Sequence, residues 1–163
     1  MSNDATKILA KNVARWFLNH ADREAGEALT HLKLQKLVYY AEAWFLANFD
    51  KPMVSDPFEA WAHGPVVRSL YAKYSDAGWN SLPPETGPMP PEQVNAFLTS
   101  VYQEYGQYSA KKLEEMTHLE LPWKEARGSL RPEEASKQAI SKLTMRNFYA
   151  QRIGKKALAT LQD

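Results

Sequence analysis

The sequence contains no cysteine. That excludes a disulfide framework, a thiolate nucleophile and Cys-ligated zinc; it fits a reducing compartment, and a cytoplasmic location is expected. Charge of one sign is lacking too, the formal net charge being +1 over 163 residues. A chain built to bind nucleic acid or an acidic membrane surface carries a basic excess, so neither partner is expected. No run approaches the roughly 20 apolar residues of a membrane span, and the opening Met1-Ser2-Asn3-Asp4-Ala5-Thr6-Lys7 lacks the charged start and apolar stretch of a secretion leader.

The patterns that carry reaction chemistry are also missing. The seven glycines are scattered at element ends, leaving no phosphate-cradling loop and no Gly-x-Ser-x-Gly elbow. Of His20, His31, His63 and His118, none stands three or four residues from another, so no helix presents a ready-made ligand pair and neither a metal nor another cofactor is expected. His63 abuts Gly64 at what reads as a helix entry, where it could flank an anion held by backbone N–H groups or be a turn histidine satisfying a carbonyl. Glu114-Glu115 and Glu133-Glu134 are adjacent pairs, about 100° apart on a helix, which cannot share one substrate atom and read as solvated. Ser109-Ala110-Lys111-Lys112 has Ser-x-x-Lys spacing without a companion motif, and an N-cap serine explains it. No catalytic residue is found, and the chain is not expected to be an enzyme.

What is present is a globular composition, 44% hydrophobic and 12% aromatic, in a length that suits one domain spanning residues 1–163. Its organising stretch is Leu34 to Tyr74. Leu34, Leu37, Val38, Ala41, Trp44, Phe45 and Asn48 share one helical face, and Thr30 can cap that helix. Turn residues from Asp50 to Pro57 follow, and Met53-Val54 with Phe58 to Ala62 could pair as two short strands. Pro65 suits the first turn of a further helix, with Val66, Val67, Leu70, Tyr71 and Tyr74 as its apolar stripe and Gly78 as its stop.

Around this centre, Leu9, Val13, Trp16, Phe17 and His20 predict a helix over Asp4 to Asn19. Residues 81–91 hold five of the ten prolines and read as an exposed loop between two halves. Pro91 can start a helix lined by Val94, Phe97, Leu98, Val101, Tyr102 and Tyr105, and Ser109 caps a short one carrying Leu113 and Met116. Leu121-Pro122-Trp123 breaks that pattern, with a single turn from Trp123 to Arg127, and Ser141 caps a last helix. The expected fold is mainly α, a compact helical domain of about six to eight helices with a small β-hairpin between the central helix and the one started at Gly64-Pro65. Residues 151–163 form a basic C-terminal extension. From Lys137 onward six basic residues face one acidic residue, which would suit an acidic partner or a solvated helix face.

Three blocks, Leu34-Gln35-Lys36-Leu37-Val38-Tyr39-Tyr40-Ala41, then Glu59-Ala60-Trp61-Ala62-His63-Gly64-Pro65-Val66-Val67, then Leu113-Glu114-Glu115-Met116-Thr117-His118 leading to Pro122-Trp123-Lys124-Glu125-Ala126-Arg127, occur in this order. Together they resemble the Panacea domain, the SocA-like antitoxin family also met among phage-associated proteins. Ile140 to Tyr149 resembles the family's closing helix, with Phe148-Tyr149 as its aromatic pair. The resemblance implies a helical domain that binds another protein. Members serve as antitoxins encoded beside small toxins, neutralising them by direct contact or, in one mode, delivering them to a AAA+ protease. No catalytic residues carry over. The family's motif positions, Gln35, Lys36, Trp44, Trp61, Gly64, Pro65, Tyr71, Thr117, His118, Pro122 and Trp123, read as scaffold. An interface needs an aromatic or Arg-centred patch, and the candidates are Arg68, Tyr71, Trp79, Arg152 and Lys155. Alternatives are a proteolytic adaptor, a phage-associated protein, and an enzyme with His63 or His118 as general base.

Overall fold

The computed structural model describes residues 8–153. Among them are seven α-helices and one two-stranded antiparallel sheet: α1 Ala10–His20, α2 His31–Phe49, β1 Glu59–Trp61, β2 Gly64–Val66, α3 Arg68–Tyr74, α4 Asn95–Tyr105, α5 Ala110–His118, α6 Leu121–Arg127 and α7 Lys142–Ala150. The mainly α expectation holds. No helix among them is long and apolar enough to cross a membrane.

Helix α2 is the axis of the molecule. It was expected to bury one face, yet every residue from Leu34 to Leu46 is buried, including Gln35, Lys36 and Glu42. A helix apolar nearly all round has no solvent side, and here α1, α3, α4, α5, α7 and β2 all pack on it. Thr30 caps it as expected, its hydroxyl accepting from Lys33 N at 3.2 Å. Trp44 Nε1 donates to the Tyr105 hydroxyl at 2.6 Å, and Tyr40 stacks on Tyr105 with centroids 4.1 Å apart. The helix interior is thus pinned sideways to α4.

The hairpin lies where it was expected but pairs differently. Glu59 faces Val66, Ala60 faces Pro65 and Trp61 faces Gly64, so Gly64 and Pro65 belong to a strand and the next helix starts only at Arg68. The anion-holding helix entry proposed for His63 does not exist. Proline lacks the N–H that an inner strand would use, and β2 has a strand neighbour on one side only. Val54 does not pair with Phe58 to Ala62; it bridges Ile8 in parallel. The free edge of β1 instead takes the segment before α7, with Ala60 N donating to Gln138 O at 2.8 Å and Ile140 N donating to Phe58 O at 2.7 Å.

Two further boundaries move, and the proline-rich loop turns out to be tied down. Helix α1 begins at Ala10, with Ala10 N donating to Asp56 Oδ1 at 2.7 Å, and residues 4–7 of the expected helix lie outside the described part. Helix α6 runs unbroken from Leu121, because Pro122 falls in its first turn, where a missing N–H costs nothing. The proline-rich loop is strapped to α1. Arg15, 5% exposed, donates to Glu85 Oε1 at 3.0 Å and to Pro88 O at 2.6 Å, while Leu82 N reaches Leu29 O at 2.7 Å. Ser109 and Ser141 cap α5 and α7 as expected.

Gly64 shows what this arrangement demands of one residue. Its φ is +109°, and a Cβ there would stand 2.5 Å from Lys36 Cε. Gly64→Ala should therefore lower stability by about 1–3 kcal/mol in urea unfolding; an unchanged midpoint would contradict the close approach of β2 to α2.

Candidate binding cavity

Lys36 issues from the fully buried face of α2 and runs over Gly64, with Thr117 of α5 alongside. Lys36 helps line a cavity of about 390 Å³ together with His31, Gln35, Trp61, Val66 and Tyr71. Gln35 fixes one wall: its side chain accepts from Val67 N at 2.9 Å and donates to Val67 O at 3.1 Å, a two-point clamp that sets where α3 begins. Tyr71, 41% exposed, then leans from α3 over Trp61, with centroids 5.0 Å apart, and His31 meets its ring edge at 6.0 Å. Trp61 Nε1 donates to Glu59 Oε1 at 2.8 Å, and Arg68 grips the same carboxylate at 3.1–3.3 Å. An aromatic rim with one arginine results.

The outer wall comes from far along the chain, Glu133 to Lys137. Arg127, 4% exposed, holds it: Nη1 donates to Ala60 O at 2.9 Å, and Nη2 donates to Arg131 O at 2.8 Å, to Pro132 O at 3.3 Å and to Glu134 O. A guanidinium suits this work because it donates in several directions from one plane. Its face also lies 4.8 Å from the Trp123 ring, whose Nε1 donates to Trp61 O at 2.9 Å. Arg127→Ala removes these bonds at once and should cost about 2–3 kcal/mol by chemical denaturation. Loss of protection from proteolysis within 128–137 should accompany it.

Burial lowers the Lys36 pKa to about 8, opposed by the Glu114 charge. Burial, then the Lys36 charge, also lowers that of His31. His118, stacked on Trp123 at 4.0 Å, is lowered chiefly by burial as well. His63 is exposed, with Nδ1 3.2 Å from Glu114 Oε2. Glu114, expected to be solvated, is partly buried and pairs with His63 and more loosely with Lys111. No group of three or more acidic or histidine side chains that could hold a metal occurs among the described residues.

Of the candidate partner-binding positions, Tyr71 lines the cavity, and Arg68, one turn earlier on α3, holds the Glu59 carboxylate that Trp61 also engages. Trp79 is 83% exposed and lines no part of it. Arg152 folds back, its guanidinium 3.6 Å from the Phe148 ring centroid, beside a second cavity lined by Trp44, Tyr105 and Tyr149. Lys155 lies outside the described residues. The motif positions Gln35, Lys36 and Trp61 line the first cavity, Gly64 and Thr117 flank Lys36, and Pro65, His118, Pro122 and Trp123 support the hairpin and α6. Sequence reading missed His31, Leu32, Val66 and residues 133–137. The signal available was Lys36 set among the apolar residues of the central helix, beside Gln35.

Antitoxin SocA of Caulobacter vibrioides (strain NA1000 / CB15N) is 35% identical over 78 residues, 48% of this chain and 41% of that protein, so the match spans less than half of the relative's length. No solved structure matches. A family model described as Antitoxin SocA-like, Panacea domain matches residues 34–124, from the first turn of α2 into α6 and more than half of the chain. The chain belongs to the SocA-like antitoxin family with a Panacea domain.

Proposed function

We propose that the chain is an antitoxin that neutralises a cognate protein toxin, encoded by a neighbouring gene, through direct binding, and that it acts as a binder and not as a catalyst. The observation that carries this reading is the position of the family match, which contains the floor and aromatic rim of the cavity from Gln35 to Tyr71. Interfaces take most of their energy from a few aromatic and arginine anchors, and the Trp61, Tyr71 and Arg68 group is of that kind. The exposed His63, paired to Glu114, supports a surface role better than proton transfer inside a closed site.

The test is binding of the purified toxin. Tyr71→Ala should weaken it about ten- to thirtyfold, while Arg152→Ala, away from this cavity, should change it less than about threefold. Equal effects of the two would place the interface elsewhere. Delivery to a AAA+ protease is the alternative outcome: the toxin's half-life in cells would then fall when this chain is present, whereas sequestration leaves it unchanged or longer.

A further inference from the structure

Folding buries the Lys36 cation, with one carboxylate charge acting on it. The residue is 2% exposed, and a Cβ on Gly64 would stand 2.5 Å from its Cε and 3.3 Å from its Nζ. The carboxylate that acts on it, Glu114, is already held by His63 and Lys111. A buried ammonium is costly to desolvate, and a carboxylate shared with His63 and Lys111 offsets that only in part. Its surroundings favour an anion: His31, His63 and Lys137 share the cavity lining with one acid, Glu133, and Leu32, Trp61 and Val66 make its sides apolar. At pH 7 the ammonium still keeps most of its charge, its pKa being about 8.

We infer that the cavity receives an acidic side chain of a partner polypeptide, flanked by an apolar or aromatic residue, whose carboxylate pairs with the Lys36 ammonium while its neighbour packs on Trp61 and Tyr71. A polypeptide is favoured over a small organic acid because the aromatic rim continues outward to the exposed Tyr71 and Arg68, which a ligand contained in the cavity would leave uncovered. The floor and rim lie inside the segment that the family model matches and the wall from Glu133 to Lys137 lies beyond it, so the carboxylate is read by the shared part and its context by the outer wall. The source of the ligand rests on the toxin-binding reading; its chemistry does not.

The test exposes the intact chain to a library of short peptides carrying Asp or Glu beside Trp, Phe or Leu, against the same peptides with Asn or Gln. The acidic set should be preferred about ten- to hundredfold, as expected for a charged hydrogen bond. Lys36→Met should abolish that preference with an unchanged circular dichroism spectrum, and Tyr71→Ala, on the exposed rim, should bind more weakly and lose the choice of aromatic neighbour while keeping the preference for the acid. Equal capture of both sets, capture of neither, or an unaltered preference in Lys36→Met would overturn the inference. Binding of free indole-3-propionate in place of the peptides would overturn it too, assigning the cavity to a small acid. Growth rescue separates this from the antitoxin reading. Full rescue by Lys36→Met sinks the cavity alone, whereas acidic-peptide selection without rescue by the unaltered chain keeps the cavity and sinks the antitoxin.

Discussion

Lys142→Met should destabilise the fold by about 3 kcal/mol, because it strands a carboxylate at the centre of the molecule. Glu42 on α2 is 0% exposed; its Oε1 accepts from Met53 N at 2.8 Å and Val54 N at 3.2 Å, and its Oε2 lies 2.9 Å from Lys142 Nζ. Lys142 also donates to Val54 O at 2.8 Å. One pair thus ties α2, the turn after it and the start of α7 together. Burial already raises the Glu42 pKa, against the pull of Lys142, so without the lysine the acid should protonate more readily. A carboxyl whose pKa is raised on folding favours the folded state at low pH and loses that advantage as pH rises through the folded value. The variant's deficit should accordingly shrink in mildly acidic buffer. The double variant Glu42→Leu with Lys142→Met should recover much of the loss, since no charge then remains buried. Guanidinium unfolding of the two variants and the parent measures this; a single variant as stable as the parent would show that the pair does not hold α7.

Lys36→Met should act in the opposite direction. The fall from 10.5 to about 8 on folding corresponds to about 3 kcal/mol of strain on the charged form at neutral pH. The sign follows from proton counting. Between about pH 8 and 10.5 the unfolded chain binds more protons at this position than the folded one, so stability rises with pH there, and the penalty is fully present below about pH 8. Methionine fills similar space without charge, so the variant should be more stable at pH 7 by up to about 3 kcal/mol, with the gain fading as pH approaches 10. Thermal unfolding across that range checks it. Stability gained where binding is lost marks a residue kept for function, and a destabilised Lys36→Met would make Lys36 an ordinary structural group.

The legible parts of the fold were those governed by local rules. Thr30, Ser109 and Ser141 announce their helices because a side-chain oxygen beside free N–H groups works within three residues. The central helix was visible from its period, but its burial all round was not, since Gln35, Lys36 and Glu42 look like a solvent face until their partners at Val67, Gly64 and Lys142 are known. Gly64-Pro65 misled for a related reason. Proline fits a helix start and an edge strand equally well, and the choice is made by Ala60 and the distant Gln138 to Ile140 segment. In the cavity, Tyr71 and Arg68 were found as surface candidates. The wall at residues 133–137 is set by Arg127 through four carbonyls, a long-range arrangement with no periodic trace.

The most direct test is growth of cells expressing the neighbouring gene's product alone, with this chain, and with its Tyr71→Ala and Lys36→Met forms. Arrest by that product alone, growth restored by the unaltered chain, and failure of both folded variants to restore it is the predicted result. A harmless neighbour, or a toxicity that the unaltered chain leaves untouched, would contradict the antitoxin reading.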